Sequence, residues 1–179
     1  MNHFVLLLRG INVGGHRKIK MADLKLFLEN IGLHQVKTYI QSVNVVFSSE
    51  ERSGDILKPV MERNIENHFG FPVDCMVFSE EEFRRIKENN PFTKTEEIKL
   101  LYTTFLDKTP HPESLKTLKT YVKADETFTQ NGNVLYFCYR NGYGKAKMTN
   151  PFIEKKLGLQ ATTRNWKTVL KLNEMLENF

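Results

Sequence analysis

Residues 4–78 and 98–164 of this chain run through the same succession of hydrophobic periods, and that succession restricts the fold more than any other feature. In the first stretch, the apolar run from Phe4 to Leu8, ending at Arg9, reads as a strand buried on both faces. Leu24, Phe27, Leu28 and Ile31 recur at i, i+3, i+4 and i+7, one face of a helix that Gly32 stops. Residues 36–40 and 43–48 are short β-branched and aromatic runs, close enough to pair as a hairpin. A second helix is expected over 55–69, with Ile56, Val60, Ile65 and Phe69 inward, and a fourth strand over 73–78. The order is βαββαβ.

Ser79 and Glu82 form a capping box that starts a helix over 80–88, and Asn90-Pro91 ends it. The pattern then repeats: strand 98–106, helix 112–122, strand 126–129, an Asn131-Gly132 turn, and strand 134–139. Asn150-Pro151, as cap and first residue, opens a helix to 157, a strand follows over 160–164, and Asn165 caps a last helix with Val169, Leu172 and Leu176 inward. A βαββαβ unit lays two helices on one face of a four-stranded antiparallel sheet. The expected class is therefore α+β, two tandem ferredoxin-like α/β plait subdomains with a C-terminal helix. The expected domains are 1–78 and 98–179, with 79–97 as a helical linker.

With 40% hydrophobic residues in 179, the chain can bury a core, and no apolar run reaches the roughly 18 to 20 residues that span a bilayer. The expected location is the cytoplasm. Cys75 and Cys138, far apart and without CxxC spacing, read as buried hydrophobes, not as a zinc site or disulfide framework. The net charge of +5 is unevenly spread. Residues 1–22 carry Arg9, Arg17, Lys18 and Lys20 without an acid, a net +4. Residues 127–173 carry eight Lys and Arg against Glu154 alone, a net +7, which leaves −6 for the rest. Such a separation steers anions toward two regions.

The first region is RGINVGGHRKIK. Gly10, Gly14 and Gly15 match neither GxGxxG nor a P-loop, because His16 and Arg17 stand where a Walker motif needs Lys and Ser or Thr. Arg9, Gly10, Asn12, Gly14, Gly15 and Lys18 remain candidates for holding a phosphate or carboxylate through backbone N–H groups and cations. The alternative is that the glycines only shape a long loop. The second region interleaves aromatics, glycines and cations: Arg140, Lys145 and Lys147, then Arg164, Asn165 and Trp166, an arrangement suited to stacking plus charge on single-stranded nucleic acid. Here the alternative is that Trp166 anchors the core. Neither NVVFSS nor NVLYFCYR fits the RNA-recognition signature, although Tyr136 and Tyr139 could present rings. Ser42 and Asn44 flank Val43 in a hairpin where such side chains often serve the turn itself. The five histidines show no metal-ligand spacing, so no metal or cofactor is expected, and no catalytic set can be named.

The stretch LLRGINVGGHRKIKMADLKLFLENIGLHQVKTYIQSVNVVFSS, with NGYGKAKMT and ATTRNWKTVLKL, resembles the bacterial family of domain of unknown function 1697. The resemblance implies a cytoplasmic protein of two plait subdomains and no established activity. The family usually has Gly where this chain has Val43, and Pro where it has Lys20. Val43 accordingly implies an ordinary β conformation in the hairpin. In an ideal plait the first β–α loop and the β2–β3 hairpin are expected at opposite ends of the sheet, so the loop's expected collaborator is the basic segment 140–167. Three functions follow: a binder of nucleic acid or a nucleotide, an enzyme on a small phosphorylated or carboxylated metabolite in a cleft between subdomains, or an interaction protein without a ligand.

Overall fold

The computed structural model describes residues 1–40 and 43–179, and among them the chain forms eight strands and six α-helices. They fall into two compact units, Met1–Arg85 with Lys171–Phe179, and Ile86–Leu170.

The first unit contains β1 (Asn2–Leu8), α1 (Met21–Asn30), β2 (His34–Tyr39), β3 (Asn44–Ser49), α2 (Gly54–Phe69) and β4 (Cys75–Ser79), and α3 (Glu80–Glu88) begins in it. Its sheet is antiparallel in the order β2-β3-β1-β4, with Phe4 opposite Phe47 on one side and Ser79 on the other. Strand alternation sends Phe4, Leu6 and Leu8 into one core with Leu24, Phe27 and Leu28 of α1 and Leu57, Met61 and Ile65 of α2. Val5 and Leu7, pointing the other way, are equally buried, as the unbroken apolar run requires. The capping box is present: the Glu82 carboxylate accepts from the Ser79 N–H and hydroxyl at 2.7 and 2.8 Å, and the Glu82 N–H donates back to the hydroxyl.

The second unit contains β5 (Leu101–Leu106), α4 (Pro112–Lys119), β6 (Glu126–Asn131), β7 (Val134–Tyr139), α5 (Asn150–Leu157) and β8 (Ala161–Asn165), and α6 (Trp166–Glu177) begins in it. Its sheet repeats the antiparallel order, β6-β7-β5-β8. Leu135, Phe137 and Tyr139 of β7 pack with Leu118 of α4 and Ile153 and Leu157 of α5.

Several expectations need correction. On α2 the inward stripe is Leu57, Met61 and Ile65, while Ile56 and Val60 are about half exposed. At about 100° per residue, Ile56 and Ile65 point to opposite sides of a helix, whereas 57, 61 and 65 advance by only about 40° each. Residues 98–100 form a 3₁₀ turn before β5, α4 stops at Lys119, and α5 is capped at Thr149. The β2–β3 hairpin shares an end of the sheet with the β1–α1 loop. β3 runs antiparallel to β1, so the turn entering β3 meets the loop leaving β1: Leu7 stands opposite Asn44, and the Leu8 N–H donates to the Val43 carbonyl at 3.3 Å. Val43 is not in an ordinary β conformation either, since its φ is +53°.

Among the described residues no helix is long and apolar enough to cross a membrane, and no group of three or more His, Cys, Asp or Glu could hold a metal ion.

Candidate functional site

The loop between β1 and α1 folds into a miniature hairpin. Gly14 and Gly15 have φ of +60° and +80°, the two positive values that a type I′ turn needs at its centre, and Val13 bridges His16 across it. Below the turn the Asn12 N–H donates to the Arg17 carbonyl at 3.3 Å. The Asn12 carboxamide closes the base: its Nδ2 donates to the Ile19 carbonyl at 3.0 Å and its Oδ1 accepts from the Ile19 N–H at 2.9 Å. Two buried residues, Ile11 and Ile19, root the finger in the core, while 13–18 are exposed.

Charge is compensated at the root and not along the finger. Arg9 is fixed to Asp74, which opens the approach to β4: its Nη1 lies 3.2 Å from the carboxylate, and its N–H donates to the Asp74 carbonyl at 3.0 Å. Gly10 follows with φ of +67°, turning the chain toward the finger. The His16, Arg17, Lys18 and Lys20 side chains, by contrast, have no hydrogen-bond or ion-pair partner among the described residues. An open depression of about 510 Å³ lies beside them, lined by Asn12, Gly15, Lys18, Ile19, Lys20 and Met21. It reaches the start of α1, where no side chain caps the free N–H groups. In the neighbouring hairpin, Asn44 is buried with its Nδ2 donating to the Tyr39 carbonyl at 3.0 Å, so it serves the turn. Ser42 lies outside the described residues.

In the second unit, Arg140, Lys145, Lys147, Arg164, Asn165 and Trp166 all lie toward the end of the sheet where β7 and β8 finish. Their side chains have different tasks. Arg140 donates to Glu96 at 2.7 Å and to Thr127 at 3.0 Å, and the Glu96 bond raises its pKa. Arg164 is buried, its Nη1 donating to the Thr162 hydroxyl at 2.8 Å and the Thr163 carbonyl at 3.0 Å, and burial pushes its guanidinium down to about 10. Asn165 caps α6 by accepting from the Thr168 N–H and hydroxyl, both at 2.9 Å. Trp166 is 1% exposed and meets Tyr136 edge to face, which makes it a core anchor. Tyr136 and Tyr139 are buried as well, their hydroxyls donating to the Ile86 and Met148 carbonyls, so neither ring faces solvent for stacking. Lys145 is exposed, and Lys147 lies beside Tyr121 and Phe152.

Sequence reading did not find Asp74 and Glu96, the carboxylates that occupy Arg9 and Arg140. They stand 65 and 44 residues from their partners, and only strand order brings them close. Burial raises the pKa of both Cys75 and Cys138, leaving two inert thiols.

The whole chain superposes on a conserved bacterial protein, SP0830 from Streptococcus pneumoniae, with a TM-score of 0.76 and 28% identity over 98% of each chain. No curated protein matches. The family match spans residues 1–136, which include the finger and the whole first sheet but end within β7, ahead of Arg140 and Arg164. On that match over most of its length, the chain belongs to the family described as Protein of unknown function (DUF1697).

Proposed function

We propose that each unit is a ferredoxin-like plait, the second followed by the C-terminal helix, and that the protein binds an anionic partner, most simply a single-stranded nucleic acid backbone, through the finger at residues 13–20. The shared strand orders β2-β3-β1-β4 and β6-β7-β5-β8 support the fold reading. One observation carries the functional reading: Arg17, Lys18 and Lys20 lack carboxylate partners, while Arg9 and Arg140 are ion-paired. The finger has no Phe, Tyr or Trp, and its one ring is the exposed imidazole of His16, so recognition rests mainly on phosphate charge and not on a platform of stacked bases. The free, buried cysteines fit a cytoplasmic setting.

If three cations each neutralise one phosphate of a single strand, log K falls against log salt with a slope of about −2. Lys18→Gln and Lys20→Gln should each reduce that slope by about 0.7. Absence of binding to an oligonucleotide at low salt, or a slope unchanged in both variants, overturns the reading. A second reading, a small phosphorylated metabolite, is favoured by the depression beside Lys18 and Lys20. It predicts that a nucleoside monophosphate raises the melting temperature of the protein while the oligonucleotide does not.

A further inference from the structure

The second unit carries a cluster of cations and rings that the proposed finger site does not use. Phe152 and Lys156 stand four residues apart on α5 and so share one of its faces. Tyr121, just beyond α4, meets them there, its ring edge to face with Phe152 at 5.5 Å between centroids. Lys156 Nζ lies 4.0 Å from the centre of the Tyr121 ring and 5.7 Å from that of Phe152. Lys147, arriving from the loop between β7 and α5, places its Nζ 5.1 and 5.7 Å from the same two rings. Two half-buried ammonium groups thus share one pair of rings. Among the described residues neither has a carboxylate partner. Of the acids nearby, Glu126 accepts from the Lys147 backbone N–H through Oε1 while its buried Oε2 has no hydrogen-bond partner among the described residues, and Glu154 Oε1 accepts from the Ala161 N–H at 2.8 Å.

The rings attract each ammonium weakly, but the two cations repel each other, and a ring face cannot accept the three N–H donors that each of them presents. A dianion placed between them satisfies both the charge and the donors. We propose that Lys147, Lys156 and the Tyr121 hydroxyl form a phosphate-binding subsite, for inorganic phosphate or the terminal group of a small phosphomonoester. The positive field is already felt by the phenol, whose pKa is lowered chiefly by the adjacent Lys156 ammonium and then by the charge of Lys147. This subsite belongs to a different unit from the finger and stands without it.

The test is a titration with inorganic phosphate at constant ionic strength, following the Tyr121 and Phe152 ring signals by NMR. The expected result is a saturable shift, weakened about tenfold or more in Lys147→Gln and Lys156→Gln, the loss of one charge-assisted bond each, and unchanged in Lys18→Gln. Bound phosphate should also return the Tyr121 phenol toward its ordinary titration, which absorbance at alkaline pH reads directly. Should a lysine variant fail to fold, Tyr121→Phe removes only the hydroxyl and must still weaken binding. A nucleoside monophosphate binding more tightly than phosphate identifies an ester as the natural source, and equal binding identifies the free anion. A response linear in phosphate, or equal affinity in the wild type and both lysine variants, overturns the proposal.

Discussion

Val43 holds the left-handed conformation at φ of +53° although it is β-branched, and its side chain is fully buried in the first core. For such a residue this conformation costs about 1–2 kcal/mol, while burying the side chain contributes about 1.5–3 kcal/mol. The second effect outweighs the first, which is how the residue persists. Replacing it separates the two. Val43→Ala keeps the strain and loses the packing, so a destabilisation of about 1–3 kcal/mol is expected. Val43→Gly loses slightly more packing but releases the strain, so it should be no less stable than Val43→Ala, the reverse of the usual order. Urea denaturation of both variants decides it, and a glycine variant clearly below the alanine variant contradicts the assignment. Lys20 offers a milder case. Its φ of −73° suits proline, and its N–H makes no backbone bond among the described residues. Lys20→Pro should therefore leave the melting temperature unchanged or slightly raised, while removing one cation from the finger. Weaker oligonucleotide binding at unchanged stability is the expected pair of readings.

Among the elements, α2 depends on a close approach at its first residue. A Cβ on Gly54 would stand 2.7 Å from the Val77 carbonyl oxygen and 3.2 Å from its carbon, and backbone on β4 does not move aside as a side-chain tip would. Gly54→Ala gains about 0.5–1 kcal/mol of helix preference at most, against about 1–3 kcal/mol for the overlap. Net destabilisation is expected, and a stabilised variant in a thermal melt refutes the close packing. What could be read in the sequence differed from element to element for physical reasons. β1 and α1 were legible because an unbroken apolar run and an i, i+3, i+4, i+7 stripe each have a single burial pattern. The face of α2 was not, because Ile56 and Val60 compete with Leu57 and Met61, and only the angular step separates the stripes. At the candidate site the glycine turn was legible as a loop. Its hairpin geometry was not, because Asn12 closes it by bonding to Ile19, seven residues on. The basic charges could be counted in the sequence, but their partners Asp74 and Glu96 come from connecting segments far away along the chain.

Across the whole chain, the division into units does not follow sequence order to the end. Lys171–Phe179 belong to the unit that begins at Met1, although α6 starts in the other. Leu172 and Leu176 are buried, Phe179 stacks on His3 at 4.6 Å, and Lys37 reaches both the Phe179 ring and the Asn178 carbonyl. The segment thus ties down β1 and β2 from beyond the second unit. Truncation after Leu170 should consequently loosen the first unit selectively. In hydrogen exchange followed by mass spectrometry, peptides from β1 and β2 should lose protection while those from β5 and β7 keep most of theirs. The finger inherits the effect, since Arg9 continues directly from β1, and oligonucleotide binding should weaken in parallel. Equal loss in both units would mean that they unfold as one cooperative block, and unchanged β1 and β2 would show that the last nine residues add nothing to the first.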